Sequence, residues 1–358
     1  MNASFRALAY ERELPHAIVT AHGSYKRRKG VIIKLSDDSG HLGIGDASPL
    51  PGFSRDTFEE LGRALDGIVV GMRAGGFEFF REFFETSSSN PSLIFALGTA
   101  LDDIAARALG RSVARLHSDN PASRVEVNGL LGDGALRLMA GRARRLWKDG
   151  FRSFKVKVGA GEPDHDVKRI LAIADAAPEA KLRLDANAAW DTERGRRVLD
   201  GIPTEMIEFV EQPLPVGHIK ESWQMCCDYG IRLALDEEVS TVEQAQRVID
   251  QRACDVVVLK PMVLGSARAC NMLAQVARSK GMDVIYTSSW ESDIGIAATL
   301  HLAAALGPNS PAMGLSTAGM IAEGIVKSPL KIVNGCLKVP DGPGLGLELA
   351  PEILERLK

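Results

Sequence analysis

The run SFKVKV at Ser153–Val158 is the first of six short, strand-like segments whose ends recur 24 to 27 residues apart. The others are KLRLD at Lys181–Asp185, MIEFVE at Met206–Glu211, IRLALD at Ile231–Asp236, DVVVLK at Asp255–Lys260 and MDVIYT at Met282–Thr287. This spacing accommodates one strand, one helix and two short loops. Because strands that alternate with helices form parallel sheets, the repeat predicts an α/β fold.

The intervals between the strand-like segments carry apolar residues at helical spacing. They predict helices at Pro163–Ala176, Thr192–Leu199, Thr241–Ile249 and Ser266–Ser279. Six nearly equal units in a row suggest that the sheet closes into a barrel. Two further strands, expected at Val125–Leu131 and Met313–Ser316, would bring the number of strands to eight.

The length of the chain leaves room for a second unit. A β/α barrel takes about 250 residues, whereas the chain has 358. The surplus is expected to form an α+β capping domain at residues 1–122, joined by the C-terminal residues 321–358, with the barrel at 123–320. Its predicted elements are antiparallel strands at Ser4–Tyr10, Gly30–Leu35 and His41–Asp46 and helices at Arg55–Met72, Glu78–Thr86 and Ser92–Leu109.

Composition excludes several classes of protein. The chain is 45% hydrophobic and 25% charged, with a net charge of −3. These values argue against disorder and against broad nucleic-acid binding, which needs a basic face. The sequence contains no apolar run of about 18 residues, so no membrane span is predicted. The first residues carry charges where a signal peptide has its apolar core. The five cysteines lack CxxC spacing. We therefore expect a cytoplasmic protein with buried, reduced thiols and no nucleic-acid or membrane partner.

Three carboxylates share one position in the repeat. Asp185, Glu211 and Asp236 are each the last residue of a predicted strand, and β/α barrels build active sites at those ends. Neighbouring parallel strands lie about 4.8 Å apart, so the three side chains should converge and repel one another. A hard divalent cation would relieve that repulsion, and oxygen ligands favour Mg²⁺ or Mn²⁺. For a single carboxylate, helix capping or a surface position is the alternative interpretation.

Lysines flank the carboxylates. Lys155 and Lys157 are two residues apart on one strand and so share a face, which we expect to be the barrel interior rather than a solvated edge. Close ammonium groups and a metal would lower a lysine pKa enough to make a base near neutral pH. Lys260 is expected across the mouth. This arrangement suits removal of a proton α to the carboxylate of a small molecule. Asn187 is a candidate donor behind the metal site.

The motif KVK, the strand-end acids, LDEE at Leu235–Glu238 and the later Lys260 resemble the muconate-lactonising subgroup of the enolase superfamily. The resemblance implies a (β/α)7β, TIM-like barrel under an α+β capping domain. It further implies that Lys157 is the general base, Lys155 its electrostatic partner and Lys260 the opposite lysine. Mg²⁺ ligands would be Asp185, Glu211 and Asp236, with Glu237 helping to organise the lysines.

Further segments resemble one family within this superfamily, the o-succinylbenzoate synthases: SPLPGFS at Ser48–Ser54, PSLIFALGTALDD at Pro91–Asp103 and VNGLL at Val127–Leu131. Those enzymes dehydrate 2-succinyl-6-hydroxy-2,4-cyclohexadiene-1-carboxylate in menaquinone biosynthesis, through an enediolate that the metal stabilises. Opposed lysines also permit N-acyl amino acid racemisation or dipeptide epimerisation, although Gly314–Thr317 lacks the acid pair usual in dipeptide epimerases. Muconate cycloisomerisation and a non-catalytic barrel that binds a dicarboxylate remain open.

Substrate choice is expected to reside in the capping domain. The segments Leu14–Tyr25 and Ala47–Phe53 should reach over the mouth as loops, and the run Lys26–Lys29 (KRRK) is interpreted as a solvated hairpin end. Residues expected to contact substrate are an apolar wall of Pro49, Leu50, Pro51 and Phe53, together with Ser288 and Glu291 of SSWESDIG. In the related motif GIGDASPLPG, Asp46 stands where the family usually has Glu.

Overall fold

The computed structural model describes residues 4–20, 23–37, 39–71 and 89–357. Its first sheet is antiparallel and consists of β1 (Ser4–Thr20), β2 (Gly23–Ser36) and β3 (Leu42–Ala47). The first two strands are longer than the sequence suggested. The expected loop Leu14–Tyr25 is largely paired strand, with Ile18 opposite Tyr25 and Thr20 opposite Gly23, so that expectation was wrong.

Helices cover one face of this sheet. Residues 58–71 form α1, and α2 (Pro91–Ala108) lies across β3. The backbones approach so closely that a Cβ at Gly43 or Gly45 would collide with the carbonyls of Ala100 or Ala96. Glycine at these two positions therefore permits the packing. The predicted helix Glu78–Thr86 lies outside the described residues. The short α3 (Ala114–His117) and β4 (Arg124–Glu126) follow.

The middle of the chain forms a parallel sheet whose strands follow one another in chain order. They are β5 (Gly129–Leu131), β6 (Ser153–Lys157), β7 (Lys181–Asp185), β8 (Ile207–Glu211), β9 (Leu233–Leu235), β10 (Val256–Leu259) and β11 (Asp283–Tyr286). The helices between and after them are α4 (Leu136–Lys148), α5 (Pro163–Ala176), α6 (Thr192–Asp200), α7 (Ile219–Asp228), α8 (Val242–Gln251), α9 (Pro261–Leu264), α10 (Ala267–Ser279) and α11 (Asp293–Ala305). The predicted α/β class is confirmed.

The segment at residues 313–314 closes the barrel. Met313 forms a parallel bridge to Val127 on one side, and Gly314 forms one to Thr287 on the other. The eighth strand expected at Met313–Ser316 is thus reduced to two bridges that join the first and last strands. The single strand expected at Val125–Leu131 was wrong in part, because β4 leaves the barrel and pairs antiparallel with β13.

The C-terminal segment packs on the first sheet and its helices. It contains β12 (Ile332–Val333), β13 (Cys336–Lys338) and α12 (Pro351–Arg356). The buried Asp103 carboxylate of α2 accepts hydrogen bonds from the Leu345 amide at 2.8 Å and the Ile44 amide at 3.0 Å. Lys34 Nζ donates to the Leu357 carbonyl at 3.1 Å. The return of the tail to the N-terminal unit therefore rests on specific hydrogen bonds.

Two further expectations concern membranes and thiols. No helix in the described ranges is long and apolar enough to cross a membrane. All five cysteines are free, and Cys226, Cys254 and Cys270 are buried as expected. Cys227 is exposed and Cys336 is half-buried, so the expectation of burial was wrong for these two.

Candidate active site

Strand register brings the predicted site residues to one rim of the barrel. Lys157 pairs with Asp185 across β6 and β7, and Asp185 pairs with Glu211 across β7 and β8. β9 ends one residue before Asp236, and β10 ends one residue before Lys260. Since parallel strands present their carboxyl ends at the same edge, all five side chains meet there. The three carboxylates are buried.

Lys155 lies between two of the carboxylates. Its Nζ is 2.8 Å from Asp185 Oδ2 and 2.7 Å from Glu211 Oε1. Burial opposes the charged form of Lys155, but Asp185 and Glu211 outweigh it and raise the pKa of the amine. We expected the two neighbouring ammonium groups to lower each other's pKa, and this expectation was wrong for Lys155. Its ammonium group therefore lies between the two carboxylates and forms an ion pair with each of them.

Lys157 faces the mouth. Its side chain is 36% exposed, and its Nζ donates to Asp185 Oδ2 at 2.7 Å and to Asn187 Oδ1 at 2.6 Å. Asn187 has a φ of 44° and donates from Nδ2 to Glu237 Oε1 at 3.0 Å. Asn187 thus links Lys157 to Glu237 and fixes the direction of the ammonium group. Lys157 combines a defined position with access for a substrate.

Lys260 occupies the other side of the rim. Its ammonium group forms an ion pair with Asp236 and lies 4.4 Å from the centre of the Phe53 ring. A cavity of about 140 Å³ adjoins it, lined by Gly52, Phe53, Asp236, Glu237, Val239, Ser240, Lys260 and Val263. The cavity therefore lies between a segment of the N-terminal unit and the barrel rim.

The carboxylates suit a hard cation chemically. Burial, followed by the neighbouring Asp185, raises the pKa of Glu211 to about 7 against the opposing effect of Lys155. Glu237 Oε2 is buried without a hydrogen-bond partner in the described structure. Within the described ranges no three acidic, His or Cys side chains form a metal cage, and lysine ammonium groups contact the acids instead. An all-oxygen set of this charge fits Mg²⁺ or Mn²⁺.

The residues expected to touch substrate are not all at the cavity. In the capping loop (residues 47–54) Pro49 and Leu50 are buried and Pro51 is exposed. Phe53 alone of the four lines the cavity. Substrate contact by Pro49, Leu50 and Pro51 therefore stays a prediction.

Ser288 and Glu291 belong to the rim loop (residues 288–292) that follows β11. Ser288 Oγ lies 2.6 Å from Thr317 Oγ1. Glu291 is 1% exposed, and its carboxylate accepts the Ser289 amide. Neither lines the cavity, so substrate contact by either residue stays a prediction.

The roles of two polar residues, Gln212 and Arg28, were not predicted from the sequence. Gln212 Oε1 accepts the amides of Asp236 at 3.2 Å and Glu238 at 3.3 Å, which fixes the turn that carries the third carboxylate. Arg28 is 2% exposed, so the expected solvated hairpin end was wrong at this position. Alternation on β2 gives the signal, because Arg28 shares a face with the buried Ile32.

Comparison with known proteins agrees with this architecture. Residues 138–353 match the family model described as Enolase C-terminal domain-like. Residues 4–104 match the model described as the MenC N-terminal domain. The chain belongs to the enolase superfamily, and the relatives it matches are enzymes.

The similar curated proteins have several activities. An o-succinylbenzoate synthase from Thermosynechococcus vestitus is 28% identical over 82% of this chain and 86% of its own length. An N-succinylamino acid racemase from Thermus thermophilus is 27% identical over 97% of this chain and 94% of its own. Relatives at this level of identity do not separate the two reactions.

Solved structures share the fold. A muconate lactonizing enzyme from Pseudomonas fluorescens, complexed with muconolactone, has a TM-score of 0.88 at 23% identity, over 99% of this chain and 98% of its own. A dipeptide epimerase from Methylococcus capsulatus, complexed with Mg and the dipeptide L-Arg-D-Lys, has a TM-score of 0.85 at 27% identity over 96% and 98%. The (β/α)7β barrel with a capping domain is thereby confirmed.

Proposed function

We propose that this protein removes a proton α to the carboxylate of a small molecule, and that its reaction is that of an o-succinylbenzoate synthase. The partly exposed Lys157 ammonium, held by Asp185 and Asn187 at the barrel rim, carries the proposal of proton transfer. The choice of a synthase, a carbon–oxygen lyase of menaquinone biosynthesis, is supported by the MenC N-terminal match over residues 4–104.

The proposed mechanism uses Lys157 twice. As the neutral amine it takes the α-proton of 2-succinyl-6-hydroxy-2,4-cyclohexadiene-1-carboxylate. As the ammonium it returns a proton to the departing hydroxyl, so that water leaves and the ring becomes aromatic. Lys260 stays charged across the mouth and stabilises the negative charge that develops on the substrate.

The carboxylates have a separate role in this proposal. Asp185, Glu211 and Asp236 would hold Mg²⁺ or Mn²⁺, with Asn187 and Glu237 behind them. When bound, the cation supplies Lewis-acid stabilisation of charge on the substrate carboxylate. Lys155 keeps Asp185 and Glu211 in place through its two ion pairs. Asp185 also accepts a hydrogen bond from Lys157, so it connects the proposed base to the proposed metal site.

We also propose that the two parts of the chain have different roles in the reaction. Residues 123–320 would provide the proton chemistry, and residues 1–122 with 321–358 would provide the choice of substrate. The contact of Phe53 with Lys260 supports this division, because the N-terminal unit contributes an aromatic wall to the cavity.

N-acyl amino acid racemisation is the second candidate. It is favoured by the positions of Lys157 at the end of β6 and Lys260 directly after β10, since one lysine could remove a proton and the other return it. The racemase relative aligns over 97% of the chain. Dipeptide epimerisation has less support, because Gly314–Thr317 contains no acid for a substrate ammonium.

A side-by-side assay tests the proposal. The cyclohexadiene substrate and a series of N-succinyl amino acids are offered with Mg²⁺, and α-proton exchange is followed in deuterated water. We expect dehydration of the cyclohexadiene acid to have the highest kcat/KM. Faster racemisation would favour the second candidate. An absence of exchange with every acid would favour a dicarboxylate-binding barrel instead of an enzyme.

A further inference from the structure

The guanidinium of Arg28 joins the capping loop to the rim loop. Its Nη1 donates to the Pro49 carbonyl at 2.9 Å and its Nη2 to the Ser48 carbonyl at 2.7 Å. On the other side Nε donates to the Trp290 carbonyl at 2.9 Å, and Nη2 also approaches the Ser289 carbonyl at 3.4 Å. One side chain from β2 thus binds four carbonyls from two segments, one in the N-terminal unit and one in the barrel.

The geometry requires arginine. A buried cation is costly unless its donors are satisfied, and the planar guanidinium presents five N–H groups in a fixed fork. A lysine ammonium offers three donors at one point and cannot span the same carbonyls. Trp290 adds to the requirement, because its φ of 61° is unusual for a bulky residue and needs support from its surroundings.

A second contact reinforces the junction. Asp46 of β3 accepts hydrogen bonds from the amide of Ser292 at 2.8 Å and from its hydroxyl at 2.7 Å. Ser292 is the N-cap of α11, so the first sheet also fixes the start of a barrel helix. Tyr10 donates to the same carboxylate at 3.0 Å. Different strands of the N-terminal unit therefore hold Ser289 and Trp290 on the one hand and Ser292 on the other.

The capping loop transmits this constraint to the cavity. The Leu50 carbonyl accepts the amides of Phe53 at 3.1 Å and Ser54 at 2.8 Å, and Ser54 Oγ accepts the Leu50 amide at 2.9 Å. Such a compact turn moves as a unit. Fixing the carbonyls immediately before it therefore fixes the Phe53 ring, which lines the cavity beside Lys260.

We infer that Arg28 is a positioning residue that holds the capping loop and the rim loop over the barrel mouth and thereby sets the affinity for the substrate. Arg28 acts through the two loops and does not need to contact the substrate. The inference about affinity rests on the proposed function, because it takes the cavity beside Lys260 as part of the substrate site. The inference about loop position does not.

Hydrogen–deuterium exchange tests loop position without any substrate. Arg28→Lys keeps the charge and removes the fork. Arg27→Ala is the matched control, because Arg27 is the neighbouring residue, is 60% exposed and pairs with Glu11 and Glu13. We expect Arg28→Lys to speed exchange about tenfold or more at the amides of residues 48–54 and 288–292. In Arg28→Lys, exchange at residues 181–187 should match wild type. In Arg27→Ala, exchange should match wild type at every measured amide.

Steady-state kinetics test the consequence for affinity. For whichever acid the wild type converts, Arg28→Lys should raise KM about tenfold while kcat changes less than about threefold. Unchanged exchange in both loops, or an equal rise across the whole barrel, would overturn the positioning role. An unchanged KM would overturn the link to affinity. If Arg28→Lys does not fold, Arg28→Gln is measured in the same way. Should the wild type convert no acid, the proposed function fails while the exchange result still decides the position of the loops.

Discussion

Lys260 Nζ lies 4.4 Å from the centre of the Phe53 ring. A cation over an aromatic face gains about 0.5–2 kcal/mol, depending on its exposure to water. This contact crosses from the barrel rim to the capping loop, and both residues line the same cavity. The aromatic ring therefore shapes the substrate side of the site without belonging to the barrel.

Removing this ring should weaken substrate binding. We expect Phe53→Ala to raise KM for the cyclohexadiene acid by about tenfold, since an apolar contact made equally in the ground and transition states is lost. The dependence of activity on Mg²⁺ should not change. Pro51→Ala is the control, because Pro51 is exposed in the same loop and does not line the cavity. Equal KM values for Phe53→Ala and wild type would contradict the assignment.

The two lysines of the mouth should differ in their effects. Lys157→Ala should lower kcat for both dehydration and racemisation by about 10²–10⁴-fold, as expected for loss of a general base. Lys260→Arg keeps a positive charge and should spare more dehydration than racemisation. Both rates are measured for each variant. If Lys157→Ala retains most of its activity, Lys157 is not the base.

Single changes at the carboxylates should weaken activation by Mg²⁺. We expect Asp185→Asn, Glu211→Gln and Asp236→Asn to raise the Mg²⁺ concentration for half-maximal activity by at least about tenfold. Glu208→Gln is a control on the same strand as Glu211, because Glu208 pairs with Arg183 instead. Titration with Mg²⁺ after chelation gives the measurement. Activity that no longer depends on metal would remove the altered residue from the ligand set.

The barrel rim could be predicted because its signals are local. Periodicity of two fixes which face of β6 carries Lys155 and Lys157, and the repeat length fixes where each strand ends. The pKa of Lys155 was mispredicted because its nearest partners are Asp185 and Glu211 rather than Lys157 alone. Identifying those partners required the register of three strands.

Contacts between distant segments could not be predicted in this way. The position of β4 outside the barrel depends on its pairing with β13, which lies about 200 residues later in the chain. Arg28 lies in a run of four basic residues that is typical of a solvated surface. Its burial depends on carbonyls of Ser289 and Trp290 that only the closed barrel brings near it.

Glu291 should make the stability of the fold depend on pH. Burial raises the pKa of this carboxyl to about 7, although hydrogen bonds from the backbone amides of Glu291 and Ser289 oppose the rise. The nearby Asp46 adds to the rise, and Arg28 opposes it to a smaller extent. Its value in the unfolded chain is near 4.5. Between these values the folded protein retains a proton that the unfolded chain has released. The contribution of Glu291 is therefore fully present below about pH 4.5 and is lost as pH rises through 7.

Glu291→Gln cannot ionise and should flatten this dependence. The free energy of unfolding is measured with urea at about pH 5 and about pH 8. Between these two pH values it should fall by up to about 3 kcal/mol more in wild type than in Glu291→Gln. Glu59→Gln, a change at an exposed glutamate, should behave like wild type. Parallel pH profiles for wild type and Glu291→Gln would mean that Glu291 ionises normally in the folded protein. The buried junction of the rim loop would then have to admit water beside a carboxylate that is 1% exposed in the structure.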